Sequence, residues 1–530
     1  MSIIERVVSA KRANEKQVTR LNGFPIALFE QPVVEIRRLQ QLDVQVEQTT
    51  FLAVGGGLGS FTWVDHLLIH GVKADEIVSI GFEEKPHGRY KRLCENSQIP
   101  AQERLRSDSG STPDNIWGWP GYGARECLQS FFQAHWLHSA KLAWQLFTEP
   151  VFTDPFTPKA AQVYASIERE SKRINWQKIW RYGRVRAIRK TDDGRYAVAY
   201  SQPNESAEKH KVIVAQFVHL AVGYAGLRFL PDLQTYREES KDFVHAVNAY
   251  EDHAHVYQHL RKHGGTVLLR GRGIVASRLI QRLYEERQHN PNIHIIHLMR
   301  TPIPDGSQYD QSQRRATHHV EYQHYNFPKS CFGGDLRALV AEADAETRKQ
   351  LIATLGGTTT ADRHQWLSII EEGLNEGWYQ VRFGQVEKLQ QAKNGTLKIF
   401  IDNQGKTKER VSLLADFMLD ATGLNADLDS NPLLKDLVDT YQLERNVMGR
   451  LKINDDFAIE TLETTHGQVY ACGAMTLGGP FAPVDSFLGL QYAAQQSVNH
   501  LGRLKNNSVK RMTLFRSALH WTFWALGVRI

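Results

Sequence analysis

From Thr49 onward, short apolar runs alternate with amphipathic stretches in an order that predicts strand, turn, helix and strand. Residues 51–54, Phe-Leu-Ala-Val, run apolar into Gly55-Gly56-Gly57-Leu58-Gly59-Ser60. Val64, Leu67, Leu68 and Ile69 then follow helical spacing, and residues 77–82 form a second apolar run that ends at Glu83. The whole takes about 33 residues, a usual length for a β-turn-α-β unit. The order returns after Gly265: a strand at 266–269, the turn Gly271-Arg272-Gly273-Ile274-Val275-Ala276, a helix at 277–286, and a strand at 293–298 followed by Arg300.

Between the two units, one long helix is expected over 124–146. Alternating segments at 183–189, 196–200 and 212–222 predict a small antiparallel layer, with a hairpin loop at 202–211. Beyond the second unit come a polar, His-rich stretch at 301–365, a helix at 366–376, a strand at 379–383 and a hairpin of 397–402 with 411–414. The run beginning at Phe417 is expected to carry the chain back into the first unit, followed by a strand at 469–472 and a helix from Ser486. The fold expected is α/β with two Rossmann-like dinucleotide-binding domains, the second inserted into a discontinuous first. Its parts are an N-terminal extension over 1–48, helical near 34–42; a first domain over 49–230 and 411–502; a second domain over 231–410 with an insertion at 301–365; and an amphipathic C-terminal helix over 503–530.

Glycine turns of this kind suit a pyrophosphate. Backbone N–H groups at a helix N-terminus point at the anion, the helix dipole adds to the attraction, and side chains would block close approach. Gly55 makes the exit from the strand, Gly57 admits phosphate, Leu58 and Gly59 open the helix, and Ser60 takes the third position, where Gly or Ala is usual. Glu83 can accept hydrogen bonds from ribose hydroxyls, although it lies 28 residues from Gly55 where about 20 is common. In the second turn Gly271, Gly273 and Ile274 hold the equivalent places. The following strand ends in Arg300, a cation that favours a 2′-phosphate where a carboxylate would repel it, with Arg272 as a second contact. A dinucleotide is expected at the first turn and NADPH at the second. Arg300 as an ordinary solvated cation is the alternative.

Composition narrows this picture little. The 530 residues are 42% hydrophobic and 23% charged, the balance of an ordinary globular chain, and the net charge of +6 is too mild to indicate nucleic-acid binding. Four cysteines, Cys94, Cys127, Cys331 and Cys472, include no close pair, against a redox dithiol or zinc ribbon and for a reducing compartment. The charged N-terminus does not read as a signal peptide and no apolar run is long enough to span a bilayer, so a cytoplasmic location is expected.

Further segments carry a family resemblance. Residues 217–226, FVHLAVGYAG, and 417–424, FMLDATGL, are similar to the two strand-to-turn crossings of the two-dinucleotide-binding-domain flavoproteins, with Thr422 and Gly423 in the second. Residues 467–473, GQVYACG, resemble the late FAD motif at Gly473, with Ala474 where an Asp is usual. Residues 229–233 and 244–250 resemble the approach to the NADP strand in flavin-dependent monooxygenases, including the N-hydroxylating branch, and residues 154–158 resemble a loop of that branch. The resemblance implies that FAD is the dinucleotide at the first turn, that NADPH reduces it, that the reduced flavin captures O₂, and that one oxygen passes to a small metabolite. It also implies that His245 and Tyr250 line the approach between the cofactors.

Other features stay open. Trp117 and Trp119 either wall the flavin or substrate pocket or pack on the core. Asp420 is a cofactor-side residue or a turn cap. His318, His319 and His324 could share one face, but no acid sits at helical spacing with both His318 and His319, so surface or substrate contacts are expected and no metal. The apolar stretch from Thr513 to Ile530 reads as a helix on its own core, an oligomer contact or an interfacial membrane helix. No catalytic acid or base is assigned. Two rival functions remain: a dehydrogenase passing electrons to a quinone or protein, and a non-catalytic FAD-binding scaffold. A disulfide reductase is disfavoured by the absence of paired cysteines.

Overall fold

The computed structural model describes residues 27–525 apart from 106–121, 149–151, 154–155, 203–208, 304–313, 324–330, 356–359, 362–363, 393–394, 403–409 and 505–506. Trp117, Trp119, His324 and part of the 154–158 loop therefore lie outside the described residues.

The first unit contains β1 (Gln45–Val54), α1 (Leu58–Ile69), β2 (Ile77–Gly81), α2 (Gly88–Asn96), α3 (Tyr122–Phe132), α4 (Trp136–Thr148), α5 (Ala160–Arg173), β3 (Trp180–Tyr182), β4 (Arg184–Thr191), β5 (Tyr196–Gln202) and β6 (Lys209–Leu220). The second contains α6 (Pro231–Ser240), β7 (Ala246–Asn248), α7 (Ala254–His263), β8 (Gly265–Arg270), α8 (Ile274–Arg287), β9 (Ile293–Met299), β10 (Tyr379–Phe383), β11 (Gln385–Gln391), β12 (Leu397–Asp402), β13 (Arg410–Ala415) and β14 (Phe417–Asp420). The chain ends with α9 (Pro432–Tyr441), β15 (Gln468–Ala471), α10 (Phe487–Leu501) and α11 (Leu514–Ala525).

Two parallel sheets organise these elements. In the first, β15, β6, β1, β2 and β3 lie side by side, all parallel. Phe51, Leu52, Ala53 and Val54 are buried at its centre, which explains an apolar run without alternation: a parallel strand is covered on both faces. β6 is long enough to serve two layers. Its first half pairs antiparallel with β5, which pairs with β4, and its second half, Phe217–Leu220, pairs with β15. The second sheet runs β10-β9-β8-β14-β7, again all parallel, beside the antiparallel ribbon β11-β12-β13.

Several expectations change. The run at Phe417 does not return to the first unit: β14 hydrogen-bonds β8 in the register Val267↔Phe417 to Arg270↔Asp420. Phe417–Asp420 is covered on both faces, and a strand without alternation carries no mark of which sheet it joins. The return therefore comes after Asp420 and not near residue 411, whose strand belongs to the ribbon. The single helix expected over 124–146 is two, broken where Ala134 takes a positive φ of 60°. β1 starts at Gln45, inside the proposed extension, and the pair Val33–Val34 adds to the sheet edge beside Lys190 and Thr191. Among the described residues of 301–365, a stretch without a readable motif, there are a small sheet and two helices, Gly334–Glu342 and Ala345–Leu355. The Phe332 ring lies tilted 5.0 Å from Tyr492 on α10, and the Arg337 guanidinium lies 5.7 Å from the Phe481 ring, so the insertion reaches back to the first unit. Among the described residues no helix is long and apolar enough to cross a membrane, and no group of His, Cys, Asp and Glu is placed to hold a metal ion.

Candidate functional site

The two glycine turns repeat one construction. Gly55 and Gly271 have φ of 125° and 131°, where a side chain is strained. A Cβ on Gly55 would meet the Ala221 carbonyl oxygen at 2.3 Å, and one on Gly271 the Ala421 oxygen at 2.5 Å. Each alanine is pinned by its own N–H, which donates to Val54 O at 2.9 Å and to Arg270 O at 2.7 Å respectively. Each crossing thus runs against the turn of its own sheet, and both turns lie at the C-terminal strand ends, where open α/β sheets take ligands.

These turns face a common cavity of about 1120 Å³. Gly55, Gly57, Leu58, Gly59, Glu83, Tyr250, Gly271, Gly273, Ile274, Thr422, Gly423 and Gly473 all line it, so most residues singled out from the sequence come together. α1 and α8 begin after Gly57 and Gly273, and neither has a side-chain cap on its first N–H groups. A Cβ on Gly57 would meet nothing within 4 Å, and the buried Thr422 hydroxyl has no hydrogen-bond partner. Free helix N-termini, open space at Gly57 and an unsatisfied hydroxyl fit two pyrophosphate-bearing ligands. β15 delivers Gly473 to the same place, with Cys472 Sγ only 2.8 Å from where a Cβ on Gly59 would stand.

Three assigned residues do not join. Ser60 is fully buried and absent from the cavity wall, and its oxygen lies 3.3 Å from a Cβ position on Gly55. It packs helix on turn, the role of a small residue at the third position. His245 precedes β7, at the opposite end of the second sheet from the turn. There its Nδ1 pairs with Asp242 at 2.9 Å and its ring stacks 5.7 Å from Phe417. Arg300 is exposed one residue beyond β9 and does not line the cavity. Arg272 does, with its guanidinium donating to Thr301 O at 2.6 Å.

Glu83 reaches the cavity with its carboxylate already bonded to Arg92, so a ribose would share it with that guanidinium. Tyr250 is held by its backbone: its N–H donates to Asn248 Oδ1 at 3.0 Å and its carbonyl accepts from Asn96 at 2.7 Å. Burial, then the neighbouring Cys94 and Asp485, push its phenol up to about 12, so it stays protonated.

The structure adds residues that carried no motif. Arg89 donates to Tyr224 O at 2.7 Å, and the Tyr224 hydroxyl donates to Asp485 just before α10. Burial, followed by the Asp485 charge, raises the Tyr224 phenol above its ordinary range. All three line the cavity. Behind the second turn, Arg270 spans Asp232 on α6 (2.6 Å) and Asp420 on β14 (2.9 and 3.2 Å), and Asp420 accepts the Thr422 N–H at 3.1 Å. Asp420 therefore turns away from solvent and organises the crossing. On the other side, His297 bonds the Gly271 carbonyl and, at 2.7 Å, the Tyr379 hydroxyl.

No protein-family model and no curated protein sequence matches the chain. Solved structures do match it. The ornithine N-hydroxylase of Kutzneria sp. 744, a complex with reduced FAD, NADP⁺ and L-ornithine, superposes with a TM-score of 0.60 at 13% identity, over 87% of this chain and 100% of that one. The FAD-bound cadaverine monooxygenase of Erwinia amylovora gives 0.61 at 13% identity, over 88% and 97%. The ornithine hydroxylase of Pseudomonas aeruginosa gives 0.57 at 13%, over 86% and 98%. The chain has the two-dinucleotide-binding-domain flavoprotein fold of these proteins.

Proposed function

We propose that this protein is an FAD- and NADPH-dependent oxidoreductase, a monooxygenase that hydroxylates a small metabolite. The observation that carries the reading is a cavity walled by both glycine turns, which brings two free helix N-termini to one space. FAD, when bound, supplies the redox chemistry, taking a hydride from NADPH and delivering electrons to O₂. The protein's part is binding, orientation and exclusion of water.

Gly57, Leu58 and Gly59 would hold the FAD pyrophosphate on the N-terminus of α1, with Glu83 on a ribose. Gly273 and Ile274 would hold the NADPH pyrophosphate on α8, and a 2′-phosphate reaching past the cavity wall would meet Arg272 on the wall and Arg300 just outside it. The hydrogen-bonded Tyr224 and Asp485, with Arg89 and Tyr250, form the polar wall between the turns. The neighbours named for ornithine and cadaverine act on primary amines, which are the first compounds to try.

The test is spectroscopic. Purified protein should carry FAD, NADPH should bleach it without oxygen, and an accepted amine should couple O₂ uptake to a product one oxygen heavier. Bleaching without such coupling would favour the dehydrogenase, and bound flavin that neither nicotinamide reduces would favour the scaffold. For cofactor choice, Arg300→Asp should raise the KM for NADPH at least about tenfold while leaving that for NADH nearly unchanged, because only the former carries the 2′-phosphate. Equal changes in both would refute the assignment.

A further inference from the structure

The last helix turns its apolar side outward. In α11, Leu514 and Phe515 are 91% and 78% exposed, and Leu519 and Phe523 continue the stripe. With Ala518 and Thr522 between them, these positions lie on one face at spacings of one and four. Arg516 is less exposed than the stripe and turns toward the protein, its Nη2 3.3 Å from a Cβ position on Gly71. A helix folded on its own core would bury the stripe and expose the arginine.

Charge gives the second observation. Residues 486–530 contain Arg503, Lys505, Lys510, Arg511, Arg516 and Arg529 and no Asp or Glu. Those six cations equal the formal excess of the entire chain, so the remainder is balanced. Arg503, Lys510 and Arg511 are exposed beside the helix.

We propose that α11 and the basic segment before it dock this protein on an anionic lipid surface. The stripe Leu514, Phe515, Leu519 and Phe523 enters the boundary between headgroups and acyl chains, and Arg503, Lys510 and Arg511 meet lipid phosphates. Twelve residues of helix lie on a bilayer and do not cross it. A second copy is the weaker occupant, because two such segments face to face would set one acid-free basic surface against another. The proposal stands independently of the cofactor assignments.

The full chain is centrifuged with vesicles of phosphatidylcholine alone and of phosphatidylcholine with phosphatidylglycerol in a three-to-one ratio. Partition onto the anionic vesicles should exceed that onto neutral ones at least about tenfold and should fall as salt is raised. Phe515→Ser/Leu519→Ser/Phe523→Ser should lose binding to the anionic vesicles with an unchanged melting temperature, since all three side chains are exposed. Lys510→Gln/Arg511→Gln, which leaves the stripe intact, should weaken it several-fold. Equal partition on both vesicles would overturn the proposal. So would a concentration-dependent dimer, seen by sedimentation velocity, that the triple variant abolishes while vesicle binding is absent throughout.

Discussion

Arg270 is the residue on which the second turn depends most. Its guanidinium is buried between two carboxylates, Asp232 and the fully buried Asp420, and its own carbonyl positions Ala421. Burial lifts the Asp232 carboxyl above its ordinary range, and the Asp420 charge adds to this while Arg270 opposes it. Arg270→Met leaves Asp420 uncompensated and should cost about 3–5 kcal/mol in chemical denaturation. A loss under about 1 kcal/mol would show that the pair does not support the turn. Buried histidines set the acid limit. Burial lowers His219 from 6.5 to about 3, and burial also lowers His297 to about 4 against the opposing bond to Gly271. In both cases the unfolded chain takes up its proton first as pH falls. Stability is therefore complete above 6.5 and declines toward pH 4, by roughly 3 kcal/mol for His297. His297→Gln should flatten that decline in denaturation midpoints measured across the window. An unchanged slope would remove His297 from the account.

At the scale of elements, what the sequence revealed and what it hid divide along physical lines. Strand, glycine turn and helix were legible at both Gly55 and Gly271 because each turn demands residue types that little else tolerates. The antiparallel layer of β4 to β6 was legible from its alternation and hairpin. β14 was read into the wrong sheet because a strand buried on both faces shows no preference between partners. The break between α3 and α4 was hidden because Ala134 holds a positive φ without the Gly or Asn that usually marks one. Arg89, Tyr224 and Asp485 were hidden for another reason. They meet across long separations in sequence, and only the packing of α2 and α10 against the crossings brings them together. His245 illustrates the reverse error: a motif position upstream of β8 placed it near the cofactors, while strand direction places it at the far end of the sheet.

At the scale of the molecule, one cavity between two parallel sheets makes a claim about division of labour. In the proposed reading the first turn would hold the flavin and the second would admit the reductant. Gly57 and Gly273 have extended φ of −92° and −75°, so a side chain at either enters without backbone strain, and at Gly57 it projects into open space. Comparing Gly57→Leu with Gly273→Leu is therefore the most direct measurement, read as flavin content after purification and as the rate of flavin bleaching by NADPH without oxygen. Gly57→Leu should lose FAD. Gly273→Leu should retain FAD at the wild-type level while its bleaching by NADPH slows at least about a hundredfold at a fixed, sub-saturating concentration. Full flavin content in Gly57→Leu, or unimpaired bleaching in Gly273→Leu, would contradict the assignment of the two turns.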